Sequence, residues 1–294
     1  MSLTFGIAPD SWGVWDPKSP ENPPWERFLD DIQRGGFVYV ELGPYGYLPT
    51  DRSRLSEELE RRSLQMLAGT QISVLHSRRT RQAALADARQ IAELIAPLGA
   101  KFMVGLDGHA IGRDDPRKLD PIQWRDFVET SNQIGKLLAE EFDMTFTFHP
   151  HADGLVEYRE ETFRYLDDTD PRFVSLCLDT GHYEYRDGDS VELFRRYTDR
   201  IPFLHIKSVN PEVLVRVEQD DLSMAEAVPL GVIAEPEHGK VNFPALRDAM
   251  VDLGYDGWAV IEHDIHPLPN FDVPLQIATR SKAYYESLGW SVTR

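Results

Sequence analysis

Phe146-Thr147-Phe148-His149-Pro150-His151 is a short apolar run that stops abruptly at a residue able to bind a metal. The same construction returns in Leu176-Cys177-Leu178-Asp179-Thr180-Gly181-His182, in Phe203-Leu204-His205-Ile206-Lys207 and in Val260-Ile261-Glu262-His263. Strands of a parallel sheet covered on both faces read as nearly continuous apolar runs. Core packing alone therefore does not put a His, Asp or Glu at the C-terminal end of one run after another. The repetition points to a metal site assembled from four strand ends. His149, Asp179, His205 and Glu262 give two imidazoles and two carboxylates. Such a set suits Mn²⁺, Co²⁺, Fe²⁺ or Zn²⁺ and is too nitrogen-rich for a dedicated Ca²⁺ cage.

Outward from this stretch the same rhythm extends in both directions. Strands are expected over 3–8, 37–42, 72–76, 101–105, 144–149, 173–179, Phe203–Ile206 and 258–262. Helices are expected between them, over Trp25–Arg34, 55–67, 81–97, 122–141, 160–166, 191–197 and 243–253. One or two more fall in 211–228, 235–240 reads as a polar loop, and a helix over 273–288 closes the chain. Gly35-Gly36, Gly99 and Gly254 punctuate helix ends as C-caps. Eight strand-like runs alternating with helices, without a Pro/Gly/Ser-rich linker between halves, predict an α/β fold. It is a single (β/α)₈ TIM barrel that takes residues 1–294 as one domain.

Such a barrel builds its active site at the C-terminal ends of its strands. Of the nine histidines, His76, His109, His149, His151, His182, His205, His263 and His266 follow an expected strand end, and only His238 sits in another kind of loop. One histidine would be unremarked core; eight on one rim mark a functional face.

With 294 residues, 41% of them hydrophobic, the chain can bury a core large enough for this architecture. Lys+Arg 31 against Asp+Glu 49 leaves a formal charge of −18, which repels phosphate backbones and anionic membranes. Nucleic acid is excluded as an expected partner. The nearest basic cluster, Arg78-Arg79-Thr80-Arg81, is assigned to an anionic substrate or to solvent. Cys177, the single cysteine, excludes an intramolecular disulfide. No apolar h-region precedes Phe5-Gly6-Ile7-Ala8, and no run approaches the roughly 20 residues needed to span a bilayer. A soluble cytoplasmic protein is expected, with no membrane partner and with a homo-oligomer compatible.

Several motifs carry a family resemblance. Gly6-Ile7-Ala8-Pro9, Gly36-Phe37 with Val40-Glu41-Leu42-Gly43, His149-Pro150-His151, Asp168-Thr169-Asp170-Pro171, Leu178-Asp179-Thr180-Gly181-His182, His205-Ile206-Lys207 and Gly254-Tyr255-Asp256-Gly257-Trp258 run nearly end to end. In their order and spacing the chain resembles the xylose isomerase-like superfamily of sugar isomerases and AP endonucleases. Within it the chain is most similar to the inosose (2-keto-myo-inositol) dehydratases. The resemblance implies that His149 replaces the Glu usual at the fifth strand end, and that Asp179, His205 and Glu262 complete the ligands of one divalent ion. It implies Mn²⁺ or Co²⁺ there, with Zn²⁺, Fe²⁺ or Mg²⁺ as alternatives. His182 matches a histidine that reaches substrate, and Lys207 a lysine that points into the same pocket.

The chain also departs from that pattern. His149-Pro150-His151-Ala152-Asp153-Gly154 stands where the dehydratases read His-His-His-x-Gly-Thr. Glu262-His263-Asp264 replaces Glu-Ala-Glu, and Glu237-His238-Gly239 replaces Gly-x-Gly. These changes surround the substrate rather than the metal.

The expected activity is that of a metal-dependent lyase. A metal holding a ketone oxygen and a neighbouring hydroxyl acidifies the proton between them, a base removes it, and a protonated beta hydroxyl leaves as water. Glu41, His151, His182 and Lys207 are the candidate acid and base groups, an imidazolium near neutral pH being a suitable donor. Tyr45, Tyr47, Trp12 and Trp15 suit the apolar faces of a cyclic polyol. The expected substrate is a small keto-inositol or similar keto-polyol or sugar. Return of the proton elsewhere would make the protein a sugar isomerase or epimerase using the same metal. A silent barrel that binds a sugar or a partner protein is the remaining reading.

Overall fold

In the computed structural model, which describes residues 2–108 and 119–290, the apolar runs close into an eight-stranded parallel barrel. Its strands are β1 (Ser2–Ile7), β2 (Tyr39–Pro44), β3 (Gln65–Ser73), β4 (Phe102–Asp107), β5 (Thr145–Phe148), β6 (Val174–Asp179) and β7 (Phe203–Ile206). After a short antiparallel pair, β8 (Ser208–Val209) with β9 (Ile233–Ala234), comes the last barrel strand, β10 (Asp256–Ile261). Around the barrel the order is β1-β10-β7-β6-β5-β4-β3-β2, with β2 pairing back onto β1.

The helices are α1 (Trp25–Arg34), α2 (Arg52–Glu60), α3 (Arg81–Ile95), α4 (Pro121–Phe142), α5 (Arg159–Asp168), α6 (Thr180–Tyr185), α7 (Ser190–Tyr197), α8 (Pro211–Asp220), α9 (Met224–Ala227), α10 (Phe243–Asp252) and α11 (Val273–Ser287). The longest, α4, shows why they form where they do. Asp120 and Gln123 make a reciprocal capping box around Pro121, and Asp143 ends the helix with φ 54°. Trp124, Phe127, Ile134 and Leu138 recur at helical spacing and are buried against the barrel. Each such side chain contributes about 1.5–3 kcal/mol by leaving water. Gly135 lies on that face because a Cβ there would come within 2.1 Å of the Phe173 carbonyl oxygen. Among the described residues no helix is long and apolar enough to cross a membrane.

Residues alternate in and out along a strand, and this period of two positions the site. Leu67, Phe102, Cys177, Phe203 and Val260 form an apolar cluster in the barrel interior, with Phe102 stacked on Phe203 at 4.7 Å between ring centroids. In register, Cys177 lies beside Phe203 and Asp179 beside His205, while His205 lies beside Val260. Two residues beyond Cys177, Phe203 and Val260, the inward positions are therefore Asp179 in β6, His205 in β7 and Glu262 just after β10.

The largest departure from the expected elements is early in the chain. The helix expected over 55–67 ends as α2 at Glu60, and the strand expected over 72–76 is β3, Gln65–Ser73. Leu55, Leu59 and Met66 fall at i, i+4 and i+11, one helical face, which hides the break. The chain turns at Ser63, with φ 56°, rather than at a glycine, and buried Arg62 clamps the turn to Asp30 and Glu58. Gly69, which reads as a breaker, lies inside β3 because Ile95 packs where its Cβ would be, 2.6 Å away. The antiparallel pair and α6 were also not expected from sequence. Two-residue strands and a six-residue helix leave no period to read.

Candidate metal centre

Four strand ends meet at the mouth of the barrel. His149 follows β5, Asp179 ends β6, His205 lies in β7 and Glu262 follows β10, and one ligand-type atom from each lies within 4.8 Å of all the others. All four residues are buried. His149 Nε2 is 3.2 Å from Asp179 Oδ2; His205 Nδ1 is 2.9 Å from Glu262 Oε1 and 3.9 Å from Asp179 Oδ2. Even so, His205 Nδ1 makes no hydrogen bond of acceptable geometry. A buried ring nitrogen that faces two carboxylates without bonding either is a costly arrangement for hydrogen bonding and a natural one for a shared cation. The donor set fits a divalent metal.

His205 owes its orientation to a residue behind it. Its Nε2 lies 3.1 Å from Glu41 Oε2, and Glu41 Oε1 accepts a hydrogen bond from Thr70 Oγ1 at 2.6 Å. With Nε2–H donating to Glu41, the lone pair is left on Nδ1, the atom that faces the cluster. Glu41, expected among the acid and base groups, thus contacts the edge of the His205 ring that faces away from the cluster. Glu41→Gln is expected to weaken divalent-metal affinity on the order of 10- to 100-fold. Competition with a chromophoric chelator measures this, and an affinity within about twofold of the parent's would assign the ring's orientation to other contacts.

Asp179 serves two structures at once. Oδ2 faces the cluster, while Oδ1 accepts from the His182 backbone N–H at 2.8 Å as the N-cap of α6. The intervening Gly181 leaves room for Lys207, whose Cγ would lie 2.4 Å from a Cβ at that position. Lys207 then threads past α6, and its Nζ lies 2.9 Å from Asp179 Oδ2, 2.8 Å from Glu262 Oε2 and 3.0 Å from Asp264 Oδ2. Burial alone would lower the lysine's pKa, but Asp179, Asp264 and Glu262 outweigh it and hold the ammonium well above its ordinary value. Glu262 moves the other way. Burial opposes its charge, yet His205 and Lys207 pull it down to about 2.

His151 and His182 pack against one another with ring centroids 3.7 Å apart, next to His149 at 5.7 and 5.5 Å. His151 Nδ1 is 2.7 Å from the Ala152 carbonyl, which can only accept, so Nδ1 carries the hydrogen and Nε2 the lone pair. Burial first, then His149 and Lys207, lowers the pKa of His151; burial, His151 and Lys207 lower that of His182 further. Both rings are therefore neutral near pH 7. Lys207, beside them, is held in its charged form.

Other expected contributors lie elsewhere. Trp12 is wholly buried, packs on Phe28 at 5.1 Å and donates from Nε1 to Asp31, and buried Tyr47 donates to the Pro23 carbonyl, so both are core. Trp15 is 40% exposed and lies 5.0 Å from His266, and Tyr45 is half-buried. His76 pairs with Asp107 at 2.9 Å, His263 N–H donates to Ser11 Oγ, and His238 is exposed beside Glu237. Arg81 bonds Thr130 and Asp126. His109 lies outside the described residues. Two residues the sequence reading did not select are present: Asp10, after β1, and Asp264 form a second acidic group with Glu262. Burial, reinforced by Glu262 and Asp264, raises the pKa of Asp10 well above the usual carboxyl range. Their signal in sequence was again an acidic residue just past a strand end.

Residues 29–292 match the family described as xylose isomerase-like TIM barrel. An inosose dehydratase of Geobacillus kaustophilus is 30% identical over 97% of this chain and 94% of its own length. Among solved structures, IolI with a bound zinc atom superposes with a TM-score of 0.76 at 15% identity, covering 99% of this chain and 100% of that one. D-psicose 3-epimerase of Clostridium cellulolyticum superposes with a TM-score of 0.75 at 16% identity, covering 98% of this chain and all 100% of its own. At these identities the solved structures speak to the fold alone.

Proposed function

The chain belongs to the xylose isomerase-like TIM barrel family, and on that premise we propose that it is a divalent-metal-dependent carbon–oxygen lyase that dehydrates a keto-inositol or a closely related keto-polyol. The substrate class rests on the relationship to the Geobacillus kaustophilus inosose dehydratase. The chemistry rests on one observation: a buried ammonium, Lys207, a buried imidazole, His182, and a half-buried imidazole, His151, adjoin the four-residue cluster. His149, Asp179, His205 and Glu262 are the proposed ligands, with Mn²⁺ or Co²⁺ as the ion. When bound, that ion supplies Lewis-acid polarisation of the substrate ketone.

The chain's own residues account for the remaining steps. The neutral His151, with its lone pair on Nε2, takes the proton from the carbon beside the ketone. Lys207 gives a proton to the beta hydroxyl as its carbon–oxygen bond breaks. A carbon–carbon double bond forms, one water leaves, and no electron acceptor is required. His182, packed against His151, holds that ring in place, and burial of His182 and Lys207 limits the access of bulk water to the proton. We take residues 1–294 as one domain acting on a small molecule in the cytoplasm.

A keto-inositol is expected to yield a dione by way of its unsaturated enol tautomer, with a rise in ultraviolet absorbance that depends on added Mn²⁺ or Co²⁺. Mass spectrometry of the products from a keto-polyol panel decides the outcome. Products that have lost one water support the lyase; products of unchanged mass would make the protein an isomerase or epimerase.

A further inference from the structure

Away from the cluster, one carboxylate joins three segments that are far apart in sequence. Asp153 lies in the loop after β5 with φ 60°, a left-handed conformation that Asp tolerates better than most residues. Its Oδ2 accepts from the backbone N–H of Met224, the first residue of α9, at 2.5 Å. Its Oδ1 is ion-paired with Arg186, the residue that follows α6. Arg186 Nε reaches Glu157 Oε2 at 2.8 Å, and the same oxygen accepts from the Asp153 backbone N–H at 2.8 Å. The side chains of Asp153, Glu157 and Arg186 are only 15–17% exposed, so water screens the three charges weakly.

These anchor points bear on the imidazole pair. His151 is two residues before Asp153, in a turn closed by Gly154 N–H to the His151 carbonyl at 2.8 Å and His151 N–H to the Val156 carbonyl at 3.2 Å. His182 lies in α6, four residues before Arg186. The Asp153–Arg186 pair thus ties the loop that carries one ring to the helix that carries the other. The third anchor brings in the segment from β8 to β9. Val209, Leu214, Val217, Met224, Ala227 and Ile233 form a small apolar core that also includes Ala152 and Tyr185, neighbours of the two charged anchors in sequence.

We propose that Asp153 is a positioning residue: it locks His151 against His182 and seats the β8–β9 segment beside them. The spacing of the two rings is then set by an ion pair outside the metal cluster. The assignment of a proton-transfer role to that pair rests on the proposed function, but the geometric lock does not.

Asp153→Gly is the informative variant, because glycine adopts φ 60° freely and the turn is retained. Arg186→Gln removes the other half of the lock. In both, amide exchange at Met224 is expected to accelerate on the order of tenfold. The ring-current shifts of the His151 and His182 ring protons are expected to shrink towards free-imidazole values. Metal affinity stays within about twofold, while kcat falls on the order of tenfold with a smaller change in KM. Asp153→Asn, which keeps an acceptor for Met224 but no charge, should restore the slow exchange more than the ring shifts. Folded, metal-binding Asp153→Gly protein with unchanged Met224 exchange and unchanged ring shifts would overturn the proposal. If those two readouts move but the parent turns over no keto-polyol, the lock stands and the dehydratase reading falls.

Discussion

Asp179→Ala is expected to lose bound divalent metal and turnover together, and to loosen α6 as well. The aspartate gives one oxygen to the cluster and the other to the helix N-cap, so the substitution removes a ligand and about 1 kcal/mol of capping at once. It also takes one of three carboxylates from Lys207. Glu262→Ala separates these effects. It removes a ligand carboxylate and leaves the cap of α6 in place, so metal should be lost with the helix unaffected. Asp179→Asn does the same from the other side, since an amide oxygen can still accept from the His182 N–H. Elemental analysis of purified protein beside turnover reads all three. Full metal occupancy in Asp179→Ala or Glu262→Ala would remove that residue from the ligand set.

The second large effect is expected at Lys207. Lys207→Met keeps most of the buried aliphatic stem and deletes the ammonium that lies within 3.0 Å of Asp179, Glu262 and Asp264. Turnover should fall by about 10²- to 10⁴-fold, the range for loss of a positioned proton donor. Metal content should not fall, because the variant leaves the ligand carboxylates more negative. Those carboxylates also lose their cationic partner, and an unpaired buried charge costs about 3–5 kcal/mol, so the comparison belongs on metal-loaded protein. A metal-loaded Lys207→Met enzyme within tenfold of the parent's turnover would move the donor role to another group.

The four residues of the cluster were legible in sequence because their chemistry contradicts their surroundings. His149, Asp179, His205 and Glu262 each end an apolar run, and the period of two in β6, β7 and β10 carries them inward without further information. Glu41 was legible only as a polar residue in a strand. Its partner His205 is 164 positions away, and nothing local says that it faces that ring's Nε2. Asp10 and Asp264 escaped because loop geometry, not periodicity, brings them beside Glu262. The charge states of His151 and His182 depend on a contact between rings on two different elements, which no spacing encodes. The shift of β3 has a similar origin: a left-handed serine and a buried arginine make a turn that residue type does not announce.

The stacked pair Phe102 and Phe203 sits below His205, whose ring lies 5.5 Å from that of Phe203. With Cys177, Leu67 and Val260 around them, these rings shut the barrel beneath the ligands. Under the proposed function the barrel mouth is then the way in to the cluster, and traffic through it would be last in, first out. An ion would arrive before the polyol that covers it, the polyol's product would depart before the ion, and a bound polyol would shield the ion from a chelator in solution. Occupancy of the deepest position would therefore be under kinetic protection by whatever fills the shallower one.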